Sequence, residues 1–150
     1  MDEGAKKFPI VTKVEKSLFY KSLETFGTAI AQNSKVYRVK KDQIVGYEGT
    51  WKAKRNSVIG ILPIGYADGY PYSSQSREVS INGKKFKTAG KINMDLITIN
   101  LEQDSSIKIG DWVELWGFDT NLTSFSQELD SISYQLLTNI SGRVNKNYLE

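Results

Sequence analysis

The chain has neither cysteine nor histidine among its 150 residues, and it has no long apolar run. Without cysteine there are no disulfides and no thiolate chemistry. Without histidine the commonest general base and metal ligand is missing, so proton transfer falls to Tyr, Lys, Asp or Glu. A histidine-dependent triad or zinc site within the chain is thereby excluded. The longest apolar stretch, Val58-Ile59-Gly60-Ile61-Leu62-Pro63-Ile64, is far short of the roughly 20 residues a membrane helix needs. The opening Met1-Asp2-Glu3-Gly4 lacks the basic-then-apolar pattern of a secretion signal. A cytoplasmic protein with no membrane partner is the expectation. A net charge of +3, from 20 basic and 17 acidic residues, is too mild to argue for nucleic acid. The lysine clusters at Lys35, Arg38, Lys40 and Lys41 and at Lys52, Lys54 and Arg55 read as solvated faces of strands and loops.

What is present is the punctuation of a β-rich domain. At 39% apolar and 25% charged, the chain can bury one core, and one domain is the default. Residues 36–39, 57–64, 78–81, 84–88, 96–101 and 111–116 read as short strands, several of them alternating apolar with polar residues. Asn82-Gly83 between two such runs predicts a hairpin closed by a type I′ turn. In 111–116 the alternation puts Val113 and Leu115 on one face and Trp112, Glu114 and Trp116 on the other. Two segments carry helical spacing. One spans 14–25, with Val14, Leu18 and Phe19 on a face that Leu23 and Phe26 continue. The other begins at Ser124 with Gln127 as a capping box and carries the stripe Phe125, Leu129, Ile132 and Leu136. The expected fold is mainly β, a small β-barrel or Greek-key-like domain with a few short helices at its two ends. No strand pattern begins before Val36, so residues 1–35 read as a partly helical preface or linker and 36–150 as the domain.

Three glycine-held turns stand out in order: Val45-Gly46-Tyr47-Glu48-Gly49-Thr50, then Leu62-Pro63-Ile64-Gly65-Tyr66-Ala67-Asp68-Gly69-Tyr70, then Gly90-Lys91-Ile92-Asn93-Met94-Asp95. On residues alone each is a turn at a strand end. Asp68-Gly69 suits a positive-φ corner, and Gly90 a bend leading into the strand at 96–101. Tyr134 alone reads as a helix residue half-packed on the core.

Taken together, the turns resemble the carboxy-terminal domain of alanine racemase, a family of pyridoxal-phosphate enzymes. Ile132-Ser133-Tyr134 and Ile140-Ser141-Gly142-Arg143-Val144 extend the resemblance, which runs from about Val36 to Lys146. It implies that Tyr47 is the acid/base acting on one face of the substrate. It further implies that Tyr66 lines the substrate entrance across a dimer interface, that Met94 borders the substrate carboxylate, that Asp95 supports the loop, and that Tyr134 touches the cofactor phosphate. The chain departs from the family pattern at Glu48, where glycine is usual, and at Tyr72, Lys91 and Lys146, where arginine is usual. Bulk at Tyr134 favours alanine over serine or a broader range of amino acids.

Racemisation needs two bases, because one residue cannot readily serve both faces of a carbon. Pyridoxal 5′-phosphate makes the α-proton removable, and the protein supplies orientation and proton carriers. A free tyrosine has a pKa of about 10, so a basic Tyr47 requires neighbours that favour the phenolate. The family's amino-terminal (β/α)8 barrel carries Val-Lys-Ala-Asn-Ala-Tyr-Gly, whose lysine binds the cofactor covalently and serves as the other base. That segment is absent from these 150 residues. The resemblance therefore implies a chain that works with its barrel domain in a homodimer, on a small amino-acid substrate, and is inactive by itself. Two readings compete. One is a basic β-barrel binding nucleic acid or protein through Tyr66, Tyr70, Tyr72, Trp51 and Trp112. The other is a purely structural dimerisation domain.

Overall fold

The computed structural model describes residues 6–13, 28–73, 75–117 and 119–149, with residues 6–13, 28–30, 47 and 146–149 described through their backbone. In chain order the strands are β1 (Lys6–Lys13), β2 (Thr28–Gln32), β3 (Lys35–Val39), β4 (Ile44–Val45), β5 (Trp51–Lys52), β6 (Ser57–Leu62), β7 (Glu78–Ile81), β8 (Lys84–Thr88), β9 (Ile97–Asn100) and β10 (Trp112–Trp116). Two short helices follow, α1 (Leu122–Glu128) and α2 (Ser133–Thr138), and then β11 (Val144–Leu149). The architecture is the expected one, mainly β, with nine strands curled into an open half-barrel in the order β11-β1-β2-β10-β7-β8-β9-β6-β3. β4 and β5 form a separate two-stranded ribbon. Among the described residues no helix is long and apolar enough to cross a membrane.

Strands β6 to β9 form a Greek key, because the meander β7-β8-β9 is flanked by β6 at its β9 side. The connection from β6 to β7 must therefore run past β8 and β9, and it carries the Gly65–Tyr70 turn. Asn82 and Gly83 take φ of 52° and 74°, the left-handed pair a type I′ turn requires, and set Ile81 opposite Lys84.

Sheet strands begin earlier than residue 36. β2 pairs with β10 and β1, and β1 lies parallel to β11. Both elude pattern reading for identifiable reasons. The apolar alternation of β2 includes alanines at 29 and 31, weak strand formers, and β1 contains Pro9, which falls within its irregular register between Lys6 and Ile10. The helix expected over 14–25 lies outside the described residues.

Two further expectations are corrected. Trp116 is buried rather than sharing the outer face with Trp112, because the register of β10 on β2 shifts between Glu114 and Trp116. Such a bulge inserts an unpaired residue and turns the next side chain to the opposite face. The carboxy-terminal helix is capped by Asn121, whose Oδ1 accepts from Ser124 N at 3.0 Å, and not by Ser124. It also breaks in two after Glu128, where Asp130 takes φ of 52°, leaving Ile132 exposed as the residue preceding α2.

The core is closed by three aromatic rings. Tyr70 stacks on Trp116 at 6.1 Å between centroids, Trp116 on Phe125 at 5.7 Å, and Tyr70 meets Phe125 at 5.9 Å. The last residue of the second motif is thus the nail that fixes the β6–β7 connection beneath α1. Burial pushes the Tyr70 hydroxyl pKa up, and among the described residues that hydroxyl has no hydrogen-bond partner. Removing the ring should cost about 3–5 kcal/mol in Tyr70→Ala, whereas Tyr70→Phe should be neutral or stabilising, since it deletes an unpaired polar group. A raised pKa stabilises the fold below the unfolded value and is lost as pH climbs. Urea titrations should therefore show the parent losing stability above about pH 10 relative to Tyr70→Phe.

Candidate active site

The first motif sits at the tip of the β4–β5 ribbon, where Val45 pairs with Trp51 and the chain turns through a 3₁₀ segment, Tyr47–Gly49. The ribbon is anchored by Val45 and Ala53, which are buried against Val39 and Ile59. Glu48 occupies the left-handed region at φ 61° and ψ 10°. That backbone favours glycine, which has no Cβ, so Glu48 holds its position at a conformational cost on the order of 1 kcal/mol.

The second and third motifs are joined through their backbones. Tyr66 N donates to Asn93 O and Ala67 N to Met94 O, each at 3.0 Å. The approach is so close that a Cβ on Gly65 would overlap the carbonyl oxygens of Asn93 and Met94, which are backbone atoms that cannot swing away. Within the turn, the buried Asp68 accepts from Gly65 N at Oδ2, 2.8 Å away, as in a capping box. Ser141 N then donates to Asp68 O at 3.0 Å, bringing in the segment after α2.

Arg143 ties the assembly together. Its Nε lies 3.5 Å from Asp68 Oδ1 and its Nη2 donates to Asp95 Oδ1, so one guanidinium bridges the second and third motifs. These carboxylates, Asp95 foremost, raise the Arg143 pKa above its ordinary value. The planar fork of arginine permits two separate carboxylate contacts, which a lysine point charge does not reproduce.

The first motif joins at Lys91. Its backbone N donates to Thr50 Oγ1 at 3.3 Å, and its Nζ donates to Glu48 Oε2 at 2.7 Å. The three turns enclose an open cavity of about 550 Å³, whose lining includes Glu48, Tyr66, Tyr72, Lys91, Met94 and Asp95. Tyr66 and Tyr72 meet edge to face, with centroids 5.9 Å apart and planes at 77°. Tyr66, Tyr72, Met94 and Leu96, all of them in the cavity lining, remain exposed.

The structure thus brings together three of the residues singled out from sequence, Tyr66, Met94 and Asp95, and places the backbone turn of Tyr47 next to them through Glu48. Tyr134 is exposed in the first turn of α2 and is not among the residues lining the cavity. α2 nevertheless reaches the second motif at its other end, since a Cβ on Gly69 would meet Asn139 and Ile140. Tyr70 is core and offers nothing to a stacking platform, and Arg55 and Lys52 are paired with Glu102 and Asp42. Sequence reasoning missed the bridge made by Arg143, because its partners lie in other motifs. It also missed the Glu48–Lys91 contact, although the two residues carry opposite charges.

Comparison with known proteins identifies the family. The family model described as alanine racemase, C-terminal domain, matches residues 27–148. Alanine racemase of Vibrio vulnificus (strain CMCP6) is 34% identical over 143 residues, covering 95% of this chain and 39% of the relative. That of Actinobacillus succinogenes is 39% identical over 116 residues, covering 77% and 32%. Among solved structures, the biosynthetic alanine racemase from Pseudomonas aeruginosa superposes with a TM-score of 0.79 at 31% identity, covering 85% of this chain and 36% of that one. The alanine racemase from Bartonella henselae, with covalently bound pyridoxal phosphate, gives 0.79 at 29% identity, covering 92% and 39%. The chain spans between about a third and two fifths of the length of these longer relatives.

The bridge makes a prediction about geometry rather than charge. Arg143→Lys keeps the positive charge but loses one of two contacts, so its urea midpoint should fall below the parent's and lie close to that of Arg143→Met. Full retention of stability by the lysine variant would show that charge alone suffices.

Proposed function

This chain belongs to the alanine racemase family, as the carboxy-terminal domain, and from that premise we propose that it provides one of the two bases of a pyridoxal-phosphate amino-acid racemase. The observation that carries the proposal is the convergence of the three motif turns on one cavity. Tyr47 is the acid/base, serving one face of the substrate α-carbon. Met94 borders the substrate carboxylate, Tyr66 lines the entrance, and Asp95 supports the loop, a role consistent with its contact to Arg143.

The residues present fit one wall of a cofactor site and not its covalent anchor. The lysine of the cavity, Lys91, is engaged by Glu48, whose carboxylate raises its pKa and favours the ammonium form. An ammonium ion is no nucleophile toward an aldehyde. The anchoring lysine, which is also the second base, belongs to an amino-terminal (β/α)8 barrel. Residues up to about 35 would carry the connection from that barrel as well as β1 and β2. When bound, pyridoxal 5′-phosphate supplies an electron sink for the carbanion. Tyr134 is assigned to its phosphate. Exposure of Tyr66, Tyr72, Met94 and Leu96 is consistent with a surface that the barrel and a second subunit cover in a homodimer. Alanine is the assigned substrate, serine or a broader range the alternative. The enzyme is assigned to the cytoplasm, and the 150-residue chain alone is assigned no turnover.

Chemistry at Tyr47 needs only its phenolic oxygen, which takes a proton from one face as the phenolate or returns one to it as the hydroxyl. Neighbours favouring the phenolate come from outside this chain in the proposal. Tyr47→Phe in the racemase containing this chain should lower racemisation in both directions by about 10²–10⁴-fold. In D2O the variant should still exchange the α-proton of one enantiomer, through the lysine base, and not of the other. Unchanged turnover would instead leave this chain a structural dimerisation domain.

A further inference from the structure

The Glu48–Lys91 pair is left over after the roles above are assigned. Both side chains line the cavity. Their contact, at 2.7 Å, is made across 43 residues of sequence. Glu48 accepts a left-handed backbone to make it, so the carboxylate is held there against a local cost. The other carboxylate of the cavity, Asp95, is likewise engaged, by Arg143. Each formal charge on this wall therefore faces an opposite one.

We propose that Glu48 is a specificity-determining residue, a built-in counter-ion that occupies the Lys91 ammonium and so keeps amino acids with anionic side chains out of the cavity. The inference rests on the racemase reading. Its physical content is simple. An uncompensated ammonium beside the substrate would attract a second carboxylate, as it would any anion near a partly desolvated cation. With Glu48 in place that attraction is cancelled, and an incoming side-chain carboxylate meets another carboxylate instead. Selection here works by a repulsive element, and costs a neutral substrate such as alanine nothing.

The test compares L-aspartate with L-asparagine, which have nearly the same shape and differ in side-chain charge, as competitors of alanine racemisation by the holoenzyme containing this chain. In Glu48→Gln the preference for aspartate over asparagine, read as the ratio of inhibition constants, should rise about fivefold relative to the parent, the scale of one partly exposed ion pair. In Lys91→Gln it should fall, because Glu48 is left bare. In the double variant Glu48→Gln/Lys91→Gln it should return to near the parent value. A pair that merely braces the Tyr47 turn would lower alanine turnover in both single variants and leave the ratio flat, and that result overturns the inference. So does a Glu48→Gln enzyme whose preference for aspartate over asparagine is no higher than the parent's, including one that binds neither. A parent enzyme with no alanine turnover would instead overturn the racemase reading, and this inference with it.

Discussion

The arrangement depends on one close approach, that of the Gly65–Asp68 turn to the backbone at Asn93 and Met94. Two backbone hydrogen bonds and the lack of a side chain at Gly65 let the turns touch. Everything at the cavity is set from that contact. It aims Tyr66 beside Met94, brings Asp68 within reach of Arg143, and through Arg143 fixes Asp95. A backbone seam is well suited to the task, because it cannot change rotamer. The side chains that meet the substrate can then be few and exposed while their positions stay defined.

Energetically, the seam is supported from beneath. Tyr70 lies two residues after Asp68 and packs against both Trp116 and Phe125, so the apolar core takes hold of the chain just beyond the polar turn. The ribbon carrying Tyr47 is held more lightly. Its strands are two residues each, its anchor is a small cluster around Val45 and Ala53, and its tie to the third motif consists of Lys91 contacts. The structure thus grades its support, firm under the binding wall and lighter under the proposed base.

The sequence made much of this legible, and the failures have physical causes. Glu78–Ile81, with its alternation of apolar and polar residues, and Lys84–Thr88, marked by the Asn82-Gly83 turn before it, are found where the pattern puts them. β1 and β2 were hidden by a proline and by alanines, which carry little strand signal of their own and gain it from pairing with β11 and β10. Trp116 was misassigned because alternation cannot register a bulge. The split between α1 and α2 turns on one residue, Asp130, in a left-handed conformation that the spacing of apolar residues does not reveal. Of the site, motif order picked out Tyr66, Met94 and Asp95 as neighbours, since each is marked by the glycines of its own turn. Arg143 has no such local mark, and its importance emerges only when the turns are in place.

The Greek-key route of the chain has a consequence for the order in which contacts form. The Arg143–Asp95 and Lys91–Glu48 ties span 48 and 43 residues of sequence, and no hairpin on the way contains both ends of either. Local events such as closing the Asn82-Gly83 turn can occur in isolation, but the cavity cannot. It exists only after β6 has joined β9 and the segment after α2 has docked, so its contacts are among those that must wait for loop closure across the chain. A nascent or partly unfolded chain therefore shows none of the site, and competence to meet substrate comes with completion of the sheet.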